Sequence, residues 1–199
     1  MTSYPLQRML EADRLSRGEQ RRRPRVFGDD IWKYQIILRK YEFWLTQPTN
    51  IFNRIMKRYY HYRYYTQSIR LNFEIPTFVF GAGLSIAHRG PIIINPSSTI
   101  GENCRIHSGV NIGTAAGTQS AVPVIGDNFY IGPGAKLFGP IYVAEGVAIA
   151  AQAVVHRSCL IQNVTLGGVP ANIISKKGAV EYLIKGTAIY DINDIKEAP

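Results

Sequence analysis

The chain has 199 residues, 46% hydrophobic and 19% charged, so a packed core is within reach and global disorder is excluded. No run reaches the ~18 uninterrupted apolar residues of a membrane-spanning helix, and the Arg-rich start lacks the apolar centre of a secretory signal. Two cysteines and four scattered histidines set up neither a disulfide framework nor a zinc site, so the expectation is a soluble, cytoplasmic, metal-free protein.

The net charge of +9 is unevenly placed: residues 1–73 hold 15 Lys and Arg against 6 Asp and Glu, and residues 74–199 hold 8 against 8. That shift marks a boundary near residue 73. Before it, residues 1–28 read as a poorly ordered basic arm ending in Arg21, Arg22, Arg23 and Arg25. Asp29 and Asp30 then precede a helical run from Ile31 to Leu38. Pro48 and Thr49 reset the chain, and Ile51, Phe52, Ile55, Met56 and Tyr59 resume at helical spacing, leading into Tyr59 to Tyr65. Aromatics interleaved with Arg serve nucleic acids in some proteins, but no nucleic-acid motif is present. The expected role is packing on the first coils or on a neighbouring subunit, with His61 a packing position. An anionic membrane surface or lipid-phosphate carrier is the other partner considered.

Beyond the boundary the chain repeats. Ile94, Ile100, Ile106 and Ile112 are spaced by six, as are Ile125, Ile131, Leu137, Val143, Ile149, Val155 and Ile161. Small or apolar residues recur four places on, among them Cys104, Val110, Phe129, Ala135, Ala153 and Cys159. A period of six suits neither an α-helix nor an alternating strand. It suits a coil that turns a corner every six residues and stacks its aliphatic side chains in a column, a parallel β-helix. A β-sandwich would place turn signals every ~8–12 residues instead. Two breaks interrupt the repeat. Ile86 and Ile94 are eight apart, with His88 between them; Ile112 and Ile125 are thirteen apart rather than twelve, through a Gly-, Thr- and Ser-rich stretch that reads as an extruded loop. The expected organisation is a basic arm and helices over 1–73, a β-helix over 74–175 and a C-terminal tail over 176–199.

The segments Gly81–Asn95, Ile100–Gly113, Ile125–Asn128, Ile131–Lys136 and Gly167–Ala171 together resemble the serine acetyltransferase family. The helical first part looks like that of members serving surface-polysaccharide synthesis. The resemblance spans about residues 72–175. It implies a left-handed β-helix with an N-terminal helical region, a homotrimer with active sites between subunits, and acetyl-coenzyme A as donor. His88 matches the family's catalytic base; a neutral imidazole suits deprotonation of an attacking hydroxyl. Glu74, fourteen residues earlier, lies near where the family places the carboxylate that orients the base. The resemblance further implies acceptor contacts from Arg89, Asn95 and an outward His107. It implies donor contacts from Gly113, Thr114, Gly134, Ala135, Lys176 and Lys177, with amides near Gly113 available to an oxyanion. Cys104 and Cys159 read as core rather than nucleophiles, and His156 as structural.

Two positions depart from the serine-specific pattern. Ala87 stands where an aspartate precedes the base, and Val122 stands where a histidine precedes the loop proline. Loss of those polar groups weakens an amino-acid pocket, so the leading expectation is acetyl transfer to a sugar hydroxyl of a surface polysaccharide, at the inner face of the membrane. A true serine O-acetyltransferase is the alternative, although the C-terminal isoleucine with which such enzymes often dock is replaced by an ending in Pro199. A non-catalytic solenoid scaffold is the third reading.

Overall fold

The computed structural model describes residues 5–117 and 121–197. Three helices come first: α1 (Leu6–Ser16), α2 (Asp30–Thr46) and α3 (Ile51–Leu71). The Asn50 side chain accepts from the Asn53 amide to cap α3, and Asn72, in the left-handed region, closes it. Residues 1–28 were expected as a loose arm. Instead α1 forms there and buries Met9, Ala12, Asp13 and Ser16, because its polar side chains have backbone partners that no sequence pattern displays.

The rest is a left-handed parallel β-helix of three faces. One face stacks β1 (Phe73–Glu74), β3 (Ile92–Ile94), β6 (Asn111–Gly113), β9 (Lys136–Phe138) and β12 (Val154–Val155). A second stacks β4 (Thr99–Ile100), β7 (Val124–Ile125) and β10 (Tyr142–Val143). The third stacks β2 (Ser85–Ile86), β5 (Arg105–Ile106), β8 (Tyr130–Ile131), β11 (Ala148–Ile149) and β13 (Thr165–Gly168), closed by the antiparallel β14 (Ala171–Ser175). The six-residue period works as expected: Ile86, Ile106, Ile131, Ile149 and Leu166 stand in register down one face, all buried. Left-handed asparagines turn one corner, and Asn103 Nδ2 donates to Asn128 Oδ1 at 3.1 Å.

Three details of the repeat are corrected. Ile100 pairs with Ile125 across 25 residues where Ile125 pairs with Val143 across 18, so the loop before β7 is an insertion of seven, not a slip of one. Part of it, residues 118–120, lies outside the described residues. At the other end the column leaves the six-residue spacing: Val143 bridges Cys159, which is buried, while Ile161 is 56% exposed. And within the expected tail, residues 176–197 do not hang free, while 198 and 199 lie outside the described residues. After β14 the chain returns as α4 (Gly186–Glu197) to pack on α1. A Cβ on Gly186 would lie 2.1 Å from the Ala12 carbonyl oxygen, so only glycine permits that approach. Thr187 anchors the helix start: its amide donates to Asn103 Oδ1 at 3.1 Å and its hydroxyl accepts from Asn103 Nδ2 at 2.8 Å.

The first coil presents a row of backbone groups with no preceding coil to pair them, the usual hazard of a sheet edge. The helices satisfy it. Arg39 of α2 donates to the Phe80 and Gly81 carbonyls at 2.9 and 2.6 Å, and Gln35 donates to Leu84 O. Asp13 of α1 accepts from the Gly83 and Leu84 amides at 2.9 and 2.8 Å, and Glu42 accepts from the Phe78 amide. Arg39 in turn pairs with Asp13 at 2.8 Å and Glu42 at 3.1 Å, all three buried. Tyr34, Leu38 and Leu71 join the solenoid's hydrophobic core. The composition boundary at residue 73 is therefore not a mechanical one.

Candidate active site

His88 follows β2 at the corner leading to β3, where the two-residue excess of the first break pushes the chain outward. Its ring is exposed. One coil on, the outward His107 follows β5, and the two ring centroids are 5.6 Å apart. His107 then meets Tyr130 edge-on at 5.2 Å, and Tyr130 meets Tyr182, from the turn after β14, at 5.0 Å. The result is a ladder of four rings along the third face, with His88 at its open end. His107 is half-buried and its Nε2 has no hydrogen-bond partner among the described residues. Burial, with Arg105 and His88 nearby, lowers its pKa below the ordinary histidine value. The pair thus offers one solvent-facing imidazole and one neutral imidazole behind it.

The other expected residues distribute as follows. Arg89 is exposed but engaged: its Nη2 donates to Asp30 Oδ2 at 2.6 Å, at the N-terminus of α2. Glu74 lies on the first face, exposed, with Ile93 as its strand partner, and no hydrogen bond joins it to His88 among the described residues. Asn95 sits one corner further on, where its Oδ1 accepts the Ser97 amide at 2.9 Å to shape the turn. Gly113, which ends β6, and Thr114 lie at that same corner, since the Asn95 amide donates to Ile112 O. Gly134 lies at the corner of His88: its amide donates to Ser108 O, its φ is +75°, and a Cβ there would lie 2.5 Å from the Gln152 amide group. Ala135 is fully buried and presents no exposed surface in the single chain. Lys176 and Lys177 lie at the third corner, lining a cavity of about 310 Å³ with Asn128, Glu145 and Asn163. One chain therefore spreads these residues over three corners.

Cys104 is buried and its thiol pKa is pushed well up by desolvation, so it is no nucleophile. Cys159 is likewise buried and free. His156 stacks on Phe138 at 6.0 Å, and His61 Nδ1 meets the Tyr41 hydroxyl at 3.0 Å, both packing roles. No group of three or more metal-ligating side chains occurs among the described residues. Sequence reasoning missed Asp30, Tyr130 and Tyr182. Tyr130 immediately precedes a column residue and so faces outward; that position was the available signal. Tyr182 reaches it only through the return of the chain after β14.

These features invite comparison with known proteins. The chain is similar to serine acetyltransferases. It is 34% identical over 100 residues to a serine acetyltransferase of Synechococcus elongatus, covering 49% of this chain and 40% of that protein. It is 35% identical over 104 residues to one of Staphylococcus epidermidis, covering 52% and 48%. The chain thus spans less than half the length of the curated relatives it matches. Among solved structures, serine acetyltransferase from Brucella abortus superposes with a TM-score of 0.65 at 26% identity, over 88% of this chain and 69% of that one. The same enzyme in complex with coenzyme A gives a TM-score of 0.61 at 24% identity, over 88% and 68%. No family model matches the chain. No described helix is long and apolar enough to cross a membrane.

Proposed function

We propose that the chain is an O-acetyltransferase of the serine acetyltransferase type, moving acetyl from acetyl-coenzyme A to a hydroxyl with His88 as general base. The observation that carries this is an exposed His88, backed by the unpartnered His107, at the corner of a β-helix whose relatives are serine acetyltransferases. In the reaction His88 takes the acceptor's hydroxyl proton as its oxygen attacks the thioester carbonyl. The tetrahedral oxyanion collapses by breaking the C–S bond, and the departing thiolate takes the proton back from the imidazolium. Coenzyme A as donor is supported by the relative solved in complex with it. The pyrophosphate end of the donor is assigned to Lys176 and Lys177, which present exposed ammonium groups beside the third-corner cavity.

The names of the relatives favour serine as acceptor, and none of them supports the polysaccharide acceptor expected from the sequence. A sugar hydroxyl is kept as a second reading on one observation: Ala87 and Val122 replace the polar residues of the serine pattern. A site that recognises an ammonium and a carboxylate leaves them desolvated without partners when those residues are lost. Three-fold assembly is part of the proposal, because Lys176 and Lys177 sit at the third corner, away from that of His88 and Arg89.

The test is coenzyme A release from acetyl-coenzyme A with serine and with a panel of sugar nucleotides and oligosaccharides. Turnover of serine at millimolar or lower KM supports the first acceptor; turnover of a glycan alone supports the second. Release with neither, or release unchanged in His88→Ala, overturns the enzymatic reading. An active monomer by light scattering overturns the shared site.

A further inference from the structure

We propose that α3 is an interfacial helix that lays the molecule on an anionic phospholipid bilayer. Ile51, Phe52, Ile55, Met56 and Tyr59, at helical spacing, and the stretch from Tyr59 to Tyr65 were expected to pack on the first coils or on a neighbouring subunit. In the structure they are turned largely to the outside: Ile51, Phe52, Ile55, Tyr59, Tyr62, Tyr65 and Ile69 are between 46% and 73% exposed, with Phe52 at the edge against Trp44. They recur at three- and four-residue intervals and so form one continuous stripe along the helix. The opposite side of α3 is the one that packs, through Tyr60 on Trp44 and Tyr64 on Tyr34.

The charge pattern says what fits that stripe. Between Ile51 and Leu71 there are five cations, Arg54, Lys57, Arg58, Arg63 and Arg70, and no acidic residue. On the helical projection Arg54 flanks the stripe on one side and Arg63 and Arg70 on the other, while Arg58 lies within it between Ile51 and Tyr65. Among the described residues no ion pair joins Arg54, Arg58 or Arg63 to a carboxylate. A second copy of α3 would set five cations against five. An anionic lipid surface meets the same cations with opposite charge, while the apolar stripe enters the headgroup boundary and the tyrosines sit at its polar level. A second feature adjoins: Val26 and Phe27 are 83% and 90% exposed beside Arg22 and Arg23. That loop runs into Asp30, whose carboxylate lies 3.8 Å from Arg70 Nη2 at the last turn of α3.

The experiment is flotation of the full chain with vesicles of phosphatidylcholine alone and of phosphatidylcholine mixed with phosphatidylserine. The chain is expected to float with the anionic vesicles only, and to be released by salt. Ile55→Ser with Tyr62→Ser should remove flotation while circular dichroism and thermal unfolding stay those of the wild type, since neither side chain is buried. Arg54→Gln with Arg58→Gln, which leaves the apolar side chains of the stripe in place, should lower anionic partitioning by at least about tenfold. Absence of flotation with anionic vesicles overturns the proposal. So does equal flotation of all variants, or an oligomer that Ile55→Ser with Tyr62→Ser dissociates, which would give the stripe to a second copy.

Discussion

His88 and His107 are one coil apart and differ in what surrounds them. His88 makes a single ring contact and faces solvent, so His88→Ala should leave the melting temperature unchanged while lowering turnover by about 10² to 10⁴. Steady-state kinetics on a variant of wild-type thermal stability checks this. His107 is a stability group as well. Its folded pKa is depressed, while the unfolded imidazole titrates near ~6.5. Below that pH the unfolded chain binds a proton that the folded chain resists. His107 therefore contributes stability that is present above about pH 6.5 and is lost as pH falls through the folded pKa. Denaturant unfolding between pH 8 and pH 5 (about the range in which histidine changes charge) should show this decline, and His107→Gln should flatten it.

At the scale of elements, the column of aliphatic residues separates what a repeat can tell from what it cannot. Ile149 and Ile161 share the same six-residue phase, yet one is fully buried and the other 56% exposed. Ile149→Ala should cost about 2–5 kcal/mol, the usual loss for a buried aliphatic truncation, and Ile161→Ala under about 0.5 kcal/mol. Equal losses measured by urea unfolding would mean that the column continues through Ile161. The existence of the column was legible because a solenoid repeats one local interaction many times. Its end was not, because the drop of two residues before Cys159 lies within a stretch whose composition does not change. The insertion before β7 was legible as a loop from its Gly, Thr and Ser content, while its length required knowing that Ile100 pairs with Ile125.

For the whole molecule, the decisive contacts are those of the capping helices. Arg39, Asp13 and Glu42 are buried together and between them partner five backbone groups of the first coil. Arg39→Met would leave two buried carboxylates without their cation and should cost about 3–5 kcal/mol, read from the urea midpoint. Replacing all three residues with apolar ones should cost less than that single change if the ion network is mainly mutual compensation, although the first coil's carbonyls and amides would then need water. The α4–α1 contact closes the same end of the molecule from the other terminus, so Gly186→Ala, forcing a Cβ against the Ala12 carbonyl, should also lower the melting temperature.

The amino-acid sequence alone determined the β-helix, the starts of α2 and α3, the core role of both cysteines and the placing of His88 at a corner. Each follows from a local rule: a six-residue period, a helical spacing, a two-residue excess in the repeat. The tertiary structure decided what depends on groups far apart along the chain. It ordered α1, because Asp13 and Arg17 find backbone partners some seventy residues on. It brought Tyr182 onto Tyr130 and Thr187 onto Asn103 by returning the chain to its start. It tied Arg89 to Asp30, left Glu74 apart from His88, and turned the apolar side of α3 outward. Spacing shows that a residue lies on a face; only packing determines what, if anything, that face meets.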